Sequence, residues 1–509
     1  MLKKITSLSL FLFIPFLSHT QEVHQSPSID EKIDTWIAPA TKFIEGLVFY
    51  PINIGGHSIP FILIWLIVGA IIFTFYLKFI NIRGFRLAIE IVRGKYTHAG
   101  DPGEVSHFQA LSAALSGTVG LGNIAGVAIA ISLGGPGAVF WMVLAGFFGM
   151  TAKFVECALA VKFRNVHADG SVSGGPMYYL SKGLGEKGWG RLGRFLAIFF
   201  SVMCVGASFG AGNMFQVNQA GQQFLSLSFI QGTIFDGNAW LFGLIIAFVV
   251  GSVIIGGIKS IAKVTEKVVP FMCGTYVIGA LIVIFANYNL IPQAFGEIIT
   301  GAFDSTAISG GLVGVLIQGI RRAAFSNESG IGSAAIAHAA VKTSEPITEG
   351  FVAALEPFVD TVIICTMTAL VIVVTGVYKT EAQDGIALTS NAFATVIEWF
   401  PYILSLAVIL FAFSTMLSWS YYGLKAWTYL FGKGSVSAFI YKFSFCTFVI
   451  VGASMNLNNF IGFSDGMLFA MSLPNIIGLY VLVPLVKKDM ISFLKRTKND
   501  TIKTYDYNE

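Results

Sequence analysis

Ser116-Gly117-Thr118-Val119-Gly120-Leu121-Gly122-Asn123 sets three glycines, a threonine and an asparagine in the middle of a stretch otherwise apolar enough to cross a membrane. Ala324-Phe325-Ser326-Asn327-Glu328-Ser329-Gly330-Ile331-Gly332-Ser333 repeats the pattern later in the chain, with an acid included. Isolated glycines inside spans are explained by close helix packing, as for Gly146 with Gly149 or Gly206 with Gly210. Clusters of this kind instead predict a helix broken at mid-membrane depth. Unpaired backbone is tolerated there only where protein or water satisfies it, so each break implies a polar cavity.

The rest of the chain supports a membrane reading. Of 509 residues 55% are hydrophobic and only 12% charged, with 46 phenylalanines and a mean hydropathy of +0.74; soluble domains carry roughly a quarter charged residues. The apolar-run criterion places spans at 58–80, 107–132, 136–161, 194–222, 239–258, 268–288, 307–341, 354–377, 400–430, 436–454 and 461–486, an all-α polytopic protein of about eleven transmembrane helices. Positive residues collect in alternate loops: Arg83 to Lys95, Lys162 to Arg194, Lys259 to Lys267, and the basic tail 487–509. That asymmetry predicts a multi-pass protein of the inner membrane with its N-terminus outside and its C-terminus cytoplasmic. Residues 1–21 read as a signal peptide or an extra short helix, and 22–57 as an extracytoplasmic segment.

The two clusters head corresponding units. With 58–80 set aside as an accessory helix, 107–288 and 307–486 each hold five helices; five is odd, so the units are inverted. Paired, glycine-interrupted helices in inverted halves point to the binding site of a secondary transporter. Carbonyls freed at a break are hard ligands for a small cation, and amides at the restarting half-helix suit a carboxylate. Asn123 offers an amide oxygen. In the ninth span Ser414, Thr415 and Ser418 fall within one turn, and Trp419 shares a face with Thr415; they either complete a cation site with an indole wall or bond their own helix. Asn213, Gln216, Asn218 and Gln219 form an amide patch that either glues helices or meets a ligand. Lys153 and Glu156 read as a helix-surface pair near the cytoplasmic rim, and Arg321 and Arg322 as groups that clamp Glu328 or cap a half-helix.

Other classes fit less well. A channel calls for a symmetric polar lining. A membrane enzyme calls for a catalytic constellation, and the sequence has no HExxH, metal-spaced cluster or nucleophile elbow. The string from Gly251 to Ser260 has its lysine misplaced for a phosphate loop. Cys157, Cys204, Cys273, Cys365 and Cys446 sit singly in apolar stretches and read as small hydrophobes. The formal net charge of +4 leaves no nucleic-acid footprint.

SGTVGLGNIAGVAIAISLGGPGAVFWM (116–142), SGGPMYYL (173–180), FSNESGIGSAAIAHA (325–339) and STMLSWSYYG (414–423), in this order, resemble the alanine or glycine:cation symporters over essentially the whole chain after the leader. VGLGN (119–123) is also similar to the unwound first core helix of sodium-coupled neurotransmitter-type symporters. The resemblance implies a leucine-transporter-like inverted five-helix repeat and sodium- or proton-coupled uptake of small amino acids such as alanine or glycine. It implies no cofactor beyond the co-transported sodium ion. Carried over by motif, Leu121 and Gly122 offer amides to the substrate carboxylate, Asn123, Gln216 and Thr415 are polar contacts, and Phe325 and Trp419 close the pocket. Val119, Ser414 and Thr415 are implied at the sodium. Gln219 competes with Gln216 for its role.

Overall fold

The computed structural model describes residues 29–502 apart from 55, 99, 305–310, 380–384, 456–457 and 500. The expected signal peptide lies outside the described residues. Seven helices among the described residues are long and apolar enough to cross a membrane: Gly137–Lys162, Gly190–Leu225, Gly257–Ala286, Pro346–Thr375, Phe400–Phe431, Ser435–Ser454 and Gly462–Lys498. His107–Thr118 and Leu121–Gly134 make an eighth, bent by 58°. Phe61–Tyr76 and Ala239–Ile254 are shorter apolar helices. Length and composition therefore support seven or eight crossings directly, and the count of eleven stays a reading of the sequence.

Large apolar side chains such as Phe248, Ile255, Phe271, Ile278 and Phe285 point outward, where hydrocarbon rather than water is the natural solvent. Inside, the helices approach closely at small residues. A Cβ on Gly212 would lie 2.2 Å from the Trp419 side chain, and one on Gly452 would lie 2.7 Å from the Met214 backbone.

The two broken helices also meet at the ends away from their breaks. Ser106 caps the first with a reciprocal Ser-x-x-Gln box, its Oγ accepting from the Gln109 N–H at 3.2 Å. Just before that cap, Val105 pairs in parallel with Val341, which follows the end of the second. Arg164 locks this bridge, donating to the carbonyls of Ala339, Val341, Pro102 and Thr343 at 2.6–2.9 Å.

Several elements are not visible as apolar runs. Ile29–Val48, in the segment expected only to be polar and extracytoplasmic, is a helix packed on Asn458–Ala470. The last helix runs to Lys498, past the expected start of the tail at 487. Gly190–Leu225 is wound as a π-turn over Gly210–Met214, a local widening common at functional sites, and this is where Trp419 lies against it.

Candidate functional site

The first break begins where Thr118 ends its helix. Val119 leaves helical geometry (ψ 87°), Gly120 is fully extended, and Leu121–Asn123 form one tight turn before Ala125–Gly134 resumes. Asn123 holds this shape from within, its Oδ1 accepting from the Gly120 N–H at 2.8 Å. In the second, Gly311–Asn327 stops and Ala335–His338 resumes. Glu328 takes a left-handed φ of 53°, followed by Gly330 at 85° and Gly332 at 92°. A non-glycine residue in that region costs free energy and persists only where its surroundings impose it.

Asp360 joins the breaks. Its carboxylate accepts from Asn123 Nδ2 at 2.5 Å, from Ser326 Oγ at 2.8 Å and from Thr361 Oγ1 at 2.7 Å. One buried acid thus ties the first break to the second. Gly122 faces the second break directly: a Cβ there would be in van der Waals contact with Ser326 Cα at 3.4 Å and the Phe325 ring at 3.5 Å.

Between the breaks lies a cavity of about 10 Å³ lined by Gly117, Thr118, Gly120, Gly122, Ala211, Gln216, Phe325, Glu328, Trp419 and Leu468. That is room for roughly one water, so its walls must part to admit anything larger. The Glu328 carboxylate faces it, accepting from Trp419 Nε1 at 3.2 Å and from Ser333 Oγ. Two buried oxygens here have no hydrogen-bond partner, Thr415 Oγ1 and Gln216 Oε1. Both face Gly120, where a Cβ would lie 2.7 Å from the first and 3.5 Å from the second. An unpaired buried oxygen calls for a partner, which a ligand or a water in the cavity supplies.

Of the residues singled out from sequence, the structure brings Gly122, Gln216, Phe325 and Trp419 to the cavity wall and Thr415 to its edge. Leu121 and Val119 are buried in the first break. Asn123 turns its side chain to Gly120 and Asp360 instead of the cavity. Ser414 Oγ bonds its own helix at Phe411 O, 3.0 Å away, while Ser418 Oγ reaches across to Ala113 O at 2.5 Å. The amide patch divides: Gln216 faces the cavity, whereas Asn213 and Asn218 donate to the backbone of Ser435–Ser454 and its end, at Phe445, Gly452 and Met455. Gln219 bonds its neighbours Asn218 and Gln222.

Two readings need correction. Lys153 and Glu156 are wholly buried and do not pair on the helix surface. Lys153 binds Glu356 at 3.0 Å, and Glu156 accepts from Asn475, which also holds the Gly330 carbonyl. Arg321 faces Asp465 at 3.4 Å rather than Glu328. The sequence reading also passed over a buried chain: Glu356 lies 3.5 Å from His338 Nε2, His338 Nδ1 lies 2.5 Å from Glu349, and Glu349 also binds His107. It ties the halves of both broken helices next to the Val105–Val341 bridge to Gly137–Lys162 and Pro346–Thr375.

A many-pass helical bundle with two apposed broken helices around a small polar cavity defines the class of a membrane transporter. Its fold is similar to that of MhsT, solved in complex with L-phenylalanine, with a TM-score of 0.53 at 15% identity over 78% of this chain and 99% of that one. The sequence pattern of the sodium:alanine symporter family matches residues 49–507, and the chain belongs to that family. The sodium/alanine symporter AgcS of Methanococcus maripaludis is 38% identical over 87% of this chain and 96% of its own length. The probable sodium/glutamine symporter GlnT of Bacillus subtilis is 33% identical over 86% and 88%. The putative sodium/proton-dependent alanine carrier YrbD of Bacillus subtilis is 38% identical over 64% of each chain. The fold is thus leucine-transporter-like, and the protein is a multi-pass amino-acid transporter of the symporter type.

Proposed function

We propose that the protein carries a small neutral amino acid, alanine or glycine, together with sodium across the inner membrane into the cytoplasm by alternating access. The observation that carries this reading is the pair of unpaired buried oxygens, Thr415 Oγ1 and Gln216 Oε1, that face Gly120 in the first break. Sodium sits against Thr415 with the Val119 carbonyl beside it. The substrate carboxylate takes the amides of Leu121 and Gly122 at the restarting turn, which carry partial positive charge. Gln216 accepts from the substrate ammonium, and Glu328 balances its charge across the cavity. Asn123 acts by position, holding Gly120 extended and bound to Asp360.

Sodium organises the first break, substrate completes the cavity, and the helix bundle rocks to expose it to the other side. The Val105–Val341 bridge and Arg164 close the cytoplasmic end and release as that side opens. The N-terminus lies outside and the C-terminal tail in the cytoplasm, as the positive loops dictate. Glu328 also supports a second reading, proton-coupled symport, because it is an acid on the cavity wall. Replacing it by Gln then removes the pH dependence of uptake at fixed sodium; under sodium coupling that dependence is unchanged.

Substrate size follows from the walls. Trp419 and Phe325 stand on the cavity wall, so Trp419→Ala admits leucine or phenylalanine at concentrations about tenfold or more lower than the wild type requires, since even one methylene is worth about that in an apolar pocket. Equilibrium binding of labelled alanine, competed by larger amino acids in sodium and in choline, measures this. Unchanged selectivity in Trp419→Ala removes the indole from the wall, and equal alanine binding in both salts removes sodium from the site.

A further inference from the structure

Past the short helix Phe61–Tyr76 the chain turns through Lys78 and Phe79, both left-handed, into the helices Ile80–Arg83 and Phe85–Val92. Phe85–Val92 buries Ala88 and Ile91 and turns Arg86 and Ile89 outward, the pattern of a helix lying in the membrane interface. The elbow is fixed to the bundle: Asn81 donates to the Phe147 carbonyl at 3.0 Å, and the Phe85 ring meets Phe358 edge-on at 4.9 Å.

Two depressions flank this elbow. On one side a groove of about 830 Å³ runs along Gly137–Lys162 and Pro346–Thr375, from Ile82 and Phe85 past Val143 and Phe147 to Ile298 and Ile299. Asn81 and Thr366 are its polar lining residues, and Asn81 is already bonded to the bundle. On the other side a depression of about 500 Å³ is lined by Arg83, Arg86, Glu90 and Lys95, with Thr497 and Ile502 behind them. Three cations there face one carboxylate. Glu90 engages Lys95 at 2.8 Å and Arg86 at 3.4 Å, yet the Arg86 side chain is 94% exposed, so its charge is available to a second anion. At the far end of the groove the charges are matched, because Glu297 holds Lys379.

We propose that one anionic phospholipid of the cytoplasmic leaflet binds across the elbow, its phosphate at Arg83 and Arg86 and an acyl chain in the apolar groove. The excess positive charge at the elbow end and its absence at the far end fix which leaflet supplies the headgroup. Basic depressions on the cytoplasmic side of a bundle are suited to anionic headgroups. The apolar groove supplies what a free anion could not use.

The site is tested by native mass spectrometry of the full chain in detergent, after exchange with dioleoylphosphatidylglycerol or dioleoylphosphatidylcholine. The expected result is retention of phosphatidylglycerol in preference to phosphatidylcholine. Retention falls about tenfold or more in the Arg83→Gln/Arg86→Gln variant and falls likewise in Ile299→Trp, which fills the groove without touching the charges. Unfolding temperature in detergent checks that both variants are folded. Equal retention of the two lipids, or retention unmoved by both variants, overturns the proposal. Displacement by millimolar inorganic phosphate shows a free-anion site instead. A dimer that Ile299→Trp dissociates shows the groove to be a protein interface, which equally overturns it. Lipid retention is read without transport, so this outcome stands apart from that of the proposed function.

Discussion

Lys153→Met lowers the stability of the protein by about 3–5 kcal/mol, the cost expected when one partner is removed from a buried ion pair and the other is left charged and dry. Lys153 and Glu356 are both wholly inaccessible and 3.0 Å apart. Glu356 adjoins His338, which shares Glu349 with His107, so the loss spreads to the halves of both broken helices next to the Val105–Val341 bridge. The double variant Lys153→Met/Glu356→Gln, which removes both charges, recovers most of the loss. Thermal unfolding in detergent measures both. A double variant as unstable as the sum of its parts would mean that the two residues do not act as a pair.

Asp360→Asn reduces uptake at limiting substrate by about 10–100-fold, corresponding to ~1–3 kcal/mol for leaving a buried donor unsatisfied. The native carboxylate accepts from Asn123, Ser326 and Thr361; an amide turns an NH₂ toward at least one of them. Because Asn123 in turn shapes the extended Gly120, the damage reaches the cavity through the backbone. Asn123→Ala made in the Asp360→Asn background then costs little more. Independent, additive losses in the double variant would show that the two residues serve separate purposes.

Both breaks were legible because glycine, hydroxyl and amide residues have no ordinary place at mid-membrane depth. By residue pattern alone Gln216 stands out no more than Asn213 or Asn218, and the family resemblance singles it out; the amide patch follows a π-turn at Gly210–Met214 that no apolar pattern encodes. Ser414 and Thr415 are neighbours on one helix, about 100° apart, so they face different surroundings: Ser414 bonds its own turn and Thr415 is left unpaired. Asp360, Glu349 and Glu356 belong to none of the motifs that the sequence sets apart. Their partners lie far away in sequence, as Asn123 does from Asp360, so spacing carried no signal. Lys153 and Glu156 misled for the opposite reason, since a three-residue spacing suggests a pair, and here it serves two different neighbours.

Uptake of labelled alanine into proteoliposomes of the purified protein, driven by an inward sodium gradient and repeated with choline in place of sodium, tests the central claim most directly. The account predicts accumulation above equilibrium in sodium, none in choline, and a sodium requirement raised about tenfold or more in Thr415→Ala, as for loss of a ligand to a charged group. Uptake that never exceeds equilibration, or that is the same in both salts, would contradict it.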